Sequence, residues 1–356
     1  MSETPEFIAA TIPASICLLR LSAIGDSCHV LPLLHCLRQA WPNAQITWII
    51  GRTEARLMSL LPEVEFIIVD KRGGLAELRR LRRVLASRRF DLLLHLQLAL
   101  RASIVSSLVR ARVRLGFNRA RARELQWLFT NASIAARERQ HVQDSFMEFA
   151  IALGLAPPAP PVWPLVPSQA TRERASALIA DGVRVLLINP CSSHELRNWH
   201  AAGYAAVADH AHRQHGMTVM LVGGSSSAER AMAERIAAAA TTPVQNRIGA
   251  DDLPQLLALL ERATVLLSPD SGPVHMATIT ATPVIGLYAA TNPARSGPYR
   301  SRQWCIDRYG EAARRFRGKH ADALPWHCKI EEPGVMDLIT VADVTTQLDK
   351  LLGSRQ

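Results

Sequence analysis

Continuous apolar runs alternate along the chain with longer segments of helical periodicity, and this alternation constrains the fold more than any other feature. In the first half the apolar runs lie at 16–21, 45–50, 64–69, 91–96 and 112–115, and in the second half at 183–188, 217–222, 263–267 and 283–288. Helical patterns accompany the second set near 171–180, 201–214, 227–239 and 252–262. Strands that are apolar at every position are typical of parallel sheets covered by helices on both faces. The sequence therefore predicts two doubly wound α/β domains.

A proline-dense stretch separates the two halves, with prolines at 157, 158, 160, 161, 164 and 167. Proline continues neither a helix nor a central strand, so this stretch is interpreted as a linker. The predicted division is a first domain over 1–163, a second over 164–325 and a C-terminal helical segment over 326–356, whose return to the first domain is left open. A ligand is expected in the cleft between the domains, at the carboxyl ends of the strands.

Three features indicate a cytoplasmic protein with free thiols. The six cysteines form no CxxC and no zinc-finger spacing, and Cys17 and Cys191 lie in or just after apolar runs, which favours buried free thiols. The first residues, MSETPEFIAATIPA, carry two glutamates and no basic region, unlike a signal peptide. The charge-free stretch from Ser271 to Ala294 contains Gly, Pro, His and Asn, which favours a helix followed by a strand over a membrane span.

Positive charge is concentrated in the first half. Residues 1–165 hold 21 basic and 13 acidic side chains, whereas the remainder holds 20 and 18. Between Ile68 and Arg123 there are 15 basic residues, nearly all arginine, against three acids. Arginine binds phosphate and carboxylate with a two-pronged guanidinium, so such a field attracts nucleic acid, anionic lipid or a phosphorylated substrate. A solvated basic helix face over Arg79–Arg89 is an equally open interpretation, and the scarcity of aromatic residues in this stretch disfavours nucleic acid.

Four loops between a strand and a helix contain the side chains that could carry chemistry. The first, RLSAIGD, ends in Asp26, which either caps the following helix or serves as a general base at the mouth of the first strand. The second, NPCSSHELRNW, offers two hydroxyls and Arg197, which could form either a diphosphate cradle or an ordinary polar loop. The third, GGSSS, is followed by Glu229, which could accept a hydrogen bond from a ribose hydroxyl, although such turns are common.

The fourth loop, SPDSGPVH, leads from a buried strand into a helix. A pyrophosphate would lie well on the backbone amides of Ser271 and Gly272, with His275 as a further donor. The alternative is a helix cap with a core histidine, but Pro269 and Pro273 rigidify this loop more than a simple connection requires.

Missing motifs narrow the chemistry further. The sequence contains no GxxxxGK[ST], HExxH, GxSxG or GxGxxG. It also contains no Asp-x-Asp, the usual clamp for a manganese-bound diphosphate. A leaving nucleoside diphosphate would therefore be stabilised by helix termini and basic side chains.

These loops, in this order and on these elements, resemble the ADP-heptose:lipopolysaccharide heptosyltransferases of glycosyltransferase family 9. The middle stretches LHLQLALRAS, GFNRARARELQWLFTN and HVQDSFMEFAIALG resemble the heptosyltransferase I branch, and the likeness extends from Ile16 to about Leu352. The resemblance implies a GT-B fold, in which two Rossmann-like domains face each other across a cleft. It also implies an inverting, metal-independent enzyme that works in the cytoplasm, peripheral on the inner face of the inner membrane.

Carried over to this sequence, the resemblance makes Asp26 the catalytic base. It places in donor binding Ser192, Ser193, Arg197, Glu229, Asp270, Ser271, Gly272 and His275. The two serines stand where the family has threonines and Arg197 where it has lysine, so hydroxyl and cation are retained, whereas the alignment at Glu229 needs a one-residue gap. It places in acceptor binding Arg101, Arg119, Arg121 and Arg123.

The implied reaction is transfer of L-glycero-D-manno-heptose from ADP-heptose to the Kdo residue of Kdo-lipid A, with no cofactor and no metal. The expected partners are the donor, an acceptor whose Kdo could carry a phosphate, and the anionic inner-membrane surface, but not nucleic acid. One alternative is another GT-B enzyme, such as heptosyltransferase II or a UDP-GlcNAc epimerase-like protein. The other is a non-enzymatic anion-binding protein, which would leave Asp26 and the SPDSGPVH loop without a role.

Overall fold

The computed structural model describes residues 12–122 and 124–354, and the chain divides into two compact units between Leu165 and Val166. Within the described residues each unit contains one six-stranded sheet, and every strand pair in both sheets is parallel. Helices connect the strands, as parallel pairing requires. The predicted α/β, doubly wound class is confirmed.

The first unit has the strand order β3-β2-β1-β4-β5-β6. Its strands are β1 (Ser15–Leu19), β2 (Gln45–Gly51), β3 (Val64–Val69), β4 (Phe90–His95), β5 (Ala111–Gly116) and β6 (Ala132–Ser133). Its helices are α1 (Ile24–Ala40), α2 (Arg52–Met58), α3 (Gly74–Leu85), α4 (Leu100–Ser107) and α5 (Val142–Ala152). Side chains of the central strands, among them Leu19, Ile49 and Leu93, are fully buried, because helices cover both faces of the sheet.

The second unit repeats this arrangement, with the strand order β12-β11-β10-β7-β8-β9. Its strands are β7 (Val185–Ile188), β8 (Thr218–Leu221), β9 (Val244–Asn246), β10 (Val265–Pro269), β11 (Val284–Tyr288) and β12 (Ile306–Asp307). Its helices are α6 (Gln169–Leu178), α7 (Ala201–His215), α8 (Ser227–Ala239), α9 (Leu253–Arg262), α10 (Gly272–Ile279), α11 (Pro293–Ser296), α12 (Tyr309–Arg317) and α13 (Val341–Gly353). Leu186, Leu267 and Leu287 lie in the core of this sheet.

All nine predicted apolar runs are strands, and the segment from Ser271 to Ala294 contains a helix followed by a strand, as expected. The sequence patterns missed β6, β9 and β12. Each of these is an edge strand of only two or three residues and is only partly buried, so it carries no apolar run. No helix among the described residues is long and apolar enough to cross a membrane.

The C-terminal helix α13 packs within the second unit. Its residues Val344, Leu348 and Leu351 are buried in the core of that unit, where the helix lies against α7. The preceding segment is tied to the same unit, because the indole Nε1 of Trp199 donates a hydrogen bond to the carbonyl of Ile339 at 3.0 Å.

The cysteines are free thiols, as predicted for Cys17 and Cys191, and both of these are buried. Burial raises the pKa of the Cys17 thiol far above its ordinary value and raises the pKa of Cys191 to about 11. Both thiols are therefore protonated at neutral pH and behave as small apolar core residues.

Candidate active site

Both sheets have a topological switch point, where two adjacent central strands lead to helices in opposite directions along the sheet. In the first unit the switch point lies between β1 and β4, and in the second between β7 and β10. Ligands of doubly wound sheets bind outside the carboxyl ends of such strand pairs. The first predicted loop follows β1, whereas the second and fourth follow β7 and β10, so three of the four loops lie at a switch point.

Asp26 is the third residue of α1, directly beyond the carboxyl end of β1. Its side chain is 32% exposed and forms an ion pair with Arg20, the residue that follows β1 and is 12% exposed. Within the described residues the carboxylate makes its hydrogen bonds through Oδ2, which accepts from a guanidinium nitrogen of Arg20 and from the backbone N–H of Ala23 at 3.4 Å. Oδ1 is therefore the oxygen left to receive a proton.

Arg20 is itself held in place by groups of the first unit. One guanidinium nitrogen donates to the carbonyl of Leu96 at 2.5 Å, and the guanidinium lies 5.5 Å from the ring centre of Phe146. The sequence analysis missed this residue. An arginine at the end of β1, six positions before the acid, was the available signal.

Two glutamines fix the loop between β1 and α1. The Gln97 side chain accepts from the backbone N–H of Leu21 at 2.6 Å and donates to the Ser22 hydroxyl at 3.2 Å. The fully buried Gln126 in turn donates to the carbonyls of His95 and Gln97, at 2.8 and 3.1 Å. Burial, together with the positive charge of a neighbouring arginine, lowers the pKa of His95 to about 3, so this network contains a neutral imidazole. The network positions the loop without adding charge to it.

The predicted acceptor arginines among the described residues lie after β4, which pairs with β1, and after β5, which pairs with β4. Arg101 on α4 and Arg119 are exposed, and the Arg119 guanidinium lies 4.8 Å from the ring centre of Trp127. Arg121 is half-buried and donates to the side chains of Asn118 and Gln140 at 2.5 and 3.1 Å, so it also braces its own loop. Arg123 lies outside the described residues.

In the second unit a buried amide ties the two switch-point loops together. The Nδ2 of Asn189, which follows β7, lies 3.0 Å from both the Ser268 and the Ser271 hydroxyls and 2.9 Å from the carbonyl of Cys191. Ser271 directly precedes Gly272, the first residue of α10. The N-terminus of a helix is suited to binding an anion. The structure thus brings Ser271 and Gly272 beside the loop that contains Ser192 and Ser193.

Arg197 has an acidic partner that the sequence analysis did not identify. Its guanidinium is 12% exposed and holds Glu331, with Nε donating to a carboxylate oxygen at 2.7 Å. Burial acts to raise the pKa of Glu331, but the hydrogen bonds and charge of Arg197, with the nearby His194 and Lys329, lower it overall. Partial desolvation and Arg197 lower the pKa of Lys329, which is also influenced by the charge of Asp270. Lys329 therefore lies within electrostatic range of Arg197, Glu331 and Asp270.

Asp270 lies on the β10 side of this cluster, with its side chain 15% exposed. It accepts from the Ser296 hydroxyl at 3.3 Å and lies 3.9 Å from Nε2 of His275, whose imidazole is nearly buried in α10. The sequence could not assign Lys329 and Glu331 to this site, because both lie more than 130 positions after Arg197 in a short irregular segment.

Glu229 is committed to its own loop. Its carboxylate accepts from the backbone N–H groups of Gly224 at 2.7 Å and Ser226 at 3.3 Å. The Ser226 hydroxyl accepts from the backbone N–H of Glu229 at 3.2 Å, so Ser226 and Glu229 form a capping box for α8. A Cβ on Gly224 would lie 2.9 Å from this carboxylate, so the glycine allows the acid to fold over the loop. A ribose contact by Glu229 stays a prediction, and it would have to share these oxygens.

Comparisons with known proteins identify similar chains. A family model described as glycosyltransferase family 9 (heptosyltransferase) matches residues 78–324. The chain is 40% identical over 339 residues to the lipopolysaccharide core heptosyltransferase OpsX of Haemophilus influenzae, an alignment that covers 95% of this chain and 97% of that protein. It is also 24% identical over 342 residues to the lipopolysaccharide heptosyltransferase 3 of Escherichia coli, covering 93% and 97% of the two chains.

Solved structures show the same fold. A family 9 glycosyl transferase from Veillonella parvula superimposes with a TM-score of 0.79 at 22% identity, covering 98% of this chain and 99% of that one. The heptosyltransferase WaaC of E. coli with ADP gives 0.74 at 20% identity, covering 95% and 99%. The ADP-heptose heptosyltransferase II of E. coli gives 0.72 at 20% identity, covering 96% and 99%.

Proposed function

The chain belongs to glycosyltransferase family 9, the heptosyltransferases, and from this premise we propose that it transfers L-glycero-D-manno-heptose from ADP-heptose to the Kdo residue of Kdo-lipid A. The proposed transfer inverts the anomeric centre and needs no metal ion. The observation that carries the proposal is the Asp26 carboxylate, which is fixed through Oδ2 by Arg20 at the switch point of the first sheet.

Asp26 is the proposed general base. Because Oδ2 is engaged by Arg20 and Ala23, Oδ1 takes the proton from the attacking Kdo hydroxyl. The hydroxyl oxygen forms a bond to the anomeric carbon, the bond from that carbon to the β-phosphate oxygen breaks, and its electron pair leaves with ADP. Displacement from the opposite face converts the β-linked heptose of the donor into an α-linked product.

Groups of the second unit are proposed to stabilise the departing diphosphate. The N-terminus of α10, at Ser271 and Gly272, offers backbone amides, and the Asn189 amide holds the Ser271 hydroxyl in place. Arg197 and Lys329 are proposed to supply positive charge to the donor, and Asp270, whose charge acts on Lys329, is proposed to hold heptose hydroxyls. Ser192, Ser193 and His275 are proposed to contribute further hydrogen bonds to the donor, and Glu229 a contact to its ribose.

The surface around α4 supports an amphipathic acceptor. Two exposed arginines lie there among exposed large apolar side chains, and we call this surface the α4 patch; it consists of Leu100, Arg101, Ile104, Arg119, Leu125, Trp127 and Leu128. The loop bearing Leu125 is joined to α4, because Glu124 accepts from the backbone N–H of Leu100 at 2.5 Å. Arginines suit the carboxylate and phosphate of Kdo, whereas the apolar residues suit the acyl chains of lipid A or the membrane that contains them.

Heptosyltransferase II activity is the second candidate. The observation in its favour is that the structures of the E. coli heptosyltransferases WaaC and II superimpose on this chain almost equally well. Under this second candidate the acceptor would be a core that already carries heptose, in place of one that ends in Kdo. The acceptor therefore decides between them.

The test is release of ADP from ADP-heptose with EDTA present, measured with Kdo-lipid A, with phosphorylated Kdo-lipid A and with a heptose-bearing acceptor. We expect turnover on a Kdo acceptor by the wild type and a loss of turnover in Asp26→Asn. Asp181→Asn is the matched control, because Asp181 is an exposed aspartate that also pairs with an arginine, Arg262.

Turnover only on the heptose-bearing acceptor would assign the second activity. Turnover that requires an added divalent cation would contradict the metal-independent mechanism. Donor binding with no turnover on any acceptor would leave the donor half of the proposal standing and overturn the acceptor half.

A further inference from the structure

Two histidines of α7 and one aspartate of α13 converge on the surface of the second unit. The Nε2 atoms of His210 and His215 lie 2.7 and 2.6 Å from the same oxygen, Oδ1 of Asp349. The two imidazole ring centres are 5.6 Å apart, and one ligand atom from each of the three residues lies within 4.8 Å of the others. Among the described residues these three form a group whose side chains could hold one metal ion together.

The two helices that carry these side chains are packed against each other. Helix α13 buries Val344, Leu348 and Leu351 in the core and packs against α7, which fixes Asp349 relative to the two histidines. The histidine side chains are 25% and 20% exposed, whereas Asp349 is 47% exposed. The imidazoles are therefore positioned by their surroundings, while the carboxylate side stays open for an ion and a completing water molecule.

The donor set matches one class of cation. Two imidazole nitrogens and one carboxylate oxygen with an open position suit zinc and similar first-row transition metals, whereas magnesium and calcium prefer oxygen donors alone. We propose that His210, His215 and Asp349 bind a divalent transition metal ion, with Zn²⁺ as the reference ion, and thereby join α13 to α7.

Proton balance in this step is simple. In the metal-free arrangement each Nε2 donates a proton toward Asp349, and binding requires the lone pair of each Nε2 to face the metal. Each of those protons is released to solvent or retained at Nδ1 of the same ring, and the carboxylate binds the metal as an anion. Both histidines then bind the metal as neutral ligands.

The site is separate from the proposed donor loops. Helix α7 begins just after the loop that contains Arg197, and at 1.5 Å per residue His210 and His215 lie about 14 and 21 Å along the helix from Ala201. The metal would therefore act on the stability of the C-terminal helix and not on the transfer step. This inference does not rest on the proposed function.

The experiment uses the full chain, stripped of metal with a chelator and then exchanged into chelator-free buffer, with ZnCl₂ alone as the probe. Titration calorimetry is expected to give one saturable zinc site, and zinc at 100-fold excess over its Kd should raise the unfolding midpoint by about 5–10 °C. His215→Gln and Asp349→Asn should each weaken binding at least about tenfold. MgCl₂ at the same concentrations should change neither signal.

His320→Gln is the matched control, because His320 is an exposed histidine of the same unit whose side chain forms no cap hydrogen bond. It should bind zinc like the wild type. Far-UV circular dichroism without metal checks that each variant is folded, and Co²⁺ provides a second readout, since a His/Asp site gives visible d–d bands without the thiolate charge-transfer band of a cysteine site.

Three results would overturn the proposal: no saturable zinc binding by folded wild type, unchanged binding in the folded His210→Gln/His215→Gln double variant, or a thiolate band with Co²⁺. The rate of ADP release provides an independent readout. Stripping zinc is expected to lower the unfolding midpoint and leave this rate unchanged at 25 °C, and an equal loss of rate would contradict the separation of the site from catalysis.

Discussion

The two units share one strand order, but their switch points are built from different chemistry. In the first unit the loop after β1 holds an ion pair between Arg20 and Asp26. This half of the chain carries 21 basic and 13 acidic residues. In the second unit neutral groups, the Asn189 amide and the Ser268 and Ser271 hydroxyls, join the two switch-point loops, which also carry the charged residues Asp270 and Arg197. This half is nearly balanced at 20 basic to 18 acidic residues.

This difference shows that the shared sheet determines where a ligand binds, whereas the loop residues determine the chemistry at that place. A charged carboxylate with one free oxygen is suited to moving a proton, whereas a neutral hydrogen-bonded cluster at a helix N-terminus is suited to holding an anion. The proposed function makes such a division of labour, with a base in one unit and a donor site in the other. Four variants probe the two units.

Asp26→Asn should have the largest effect. Loss of the base is expected to lower kcat by about 10² to 10⁴ and to leave the Kd for ADP-heptose nearly unchanged. Steady-state ADP release gives the first quantity and titration calorimetry the second. A variant that keeps near-normal kcat would remove Asp26 from the mechanism, and one that mainly loses donor affinity would contradict the contrast between the units.

Asn189→Ala should show the opposite pattern. Removing the amide leaves the Ser268 and Ser271 hydroxyls and the Cys191 carbonyl without this partner, so we expect the Kd for ADP to rise about tenfold, equivalent to about 1.4 kcal/mol. The change in kcat should be smaller than the change in Kd. Gln245→Ala, an exposed side chain of β9, is the control, and an unchanged Kd in Asn189→Ala would show that this amide does not organise the donor site.

Lipid contact should be confined to the first unit. Replacing Leu125 and Leu128 of the α4 patch by serine should lower binding to vesicles that contain anionic lipid about fivefold, because these side chains are 54% and 58% exposed and would be buried on contact. Co-sedimentation measures the binding. Val183→Ser, at an exposed apolar position of the second unit, is the control. An equal loss of vesicle binding in that variant would mean that the α4 patch is not a specific lipid contact.

Glu331→Gln should have the smallest effect, on stability. The folded-state pKa of Glu331 is lowered from its ordinary value of 4.5, so the pair with Arg197 stabilises the fold fully above that value and is lost as pH falls through the folded pKa. We expect the wild type to exceed the variant by about 0.5 kcal/mol at pH 7 in urea unfolding, and this difference to shrink below about pH 4. A difference independent of pH would mean that the charge of Glu331 is not what stabilises.

The sequence located nine strands, most of them well buried, because strands covered on both faces must be apolar along most of their length. The edge strand β3 was also found, since its six residues are mostly apolar although it is only partly buried. The same logic failed for β6, β9 and β12, since an edge strand of two or three residues buries little and needs no such run. The pattern also placed the four loops, because each follows a strand that it identified.

Side-chain partnerships were harder to predict. Asp26 was recognisable from its loop, but the Arg20 contact depends on how the backbone turns after β1, and Glu331 reaches Arg197 from a distant segment with no periodicity. Glu229 shows the reverse problem, because an acid in the first turn of a helix satisfies a capping box as readily as a ligand.

The buried glutamine network also bears on how such a protein can diverge. Gln126 and Gln97 orient the Asp26 loop from inside the first unit, whereas Arg101 and Arg119 lie exposed on its surface. Substitutions at the exposed arginines leave that internal support intact, so selection can alter the outer residues stepwise while the inner ones are inherited unchanged. A lineage can thus explore new surface chemistry without passing through ancestors that have lost the orientation of their carboxylate.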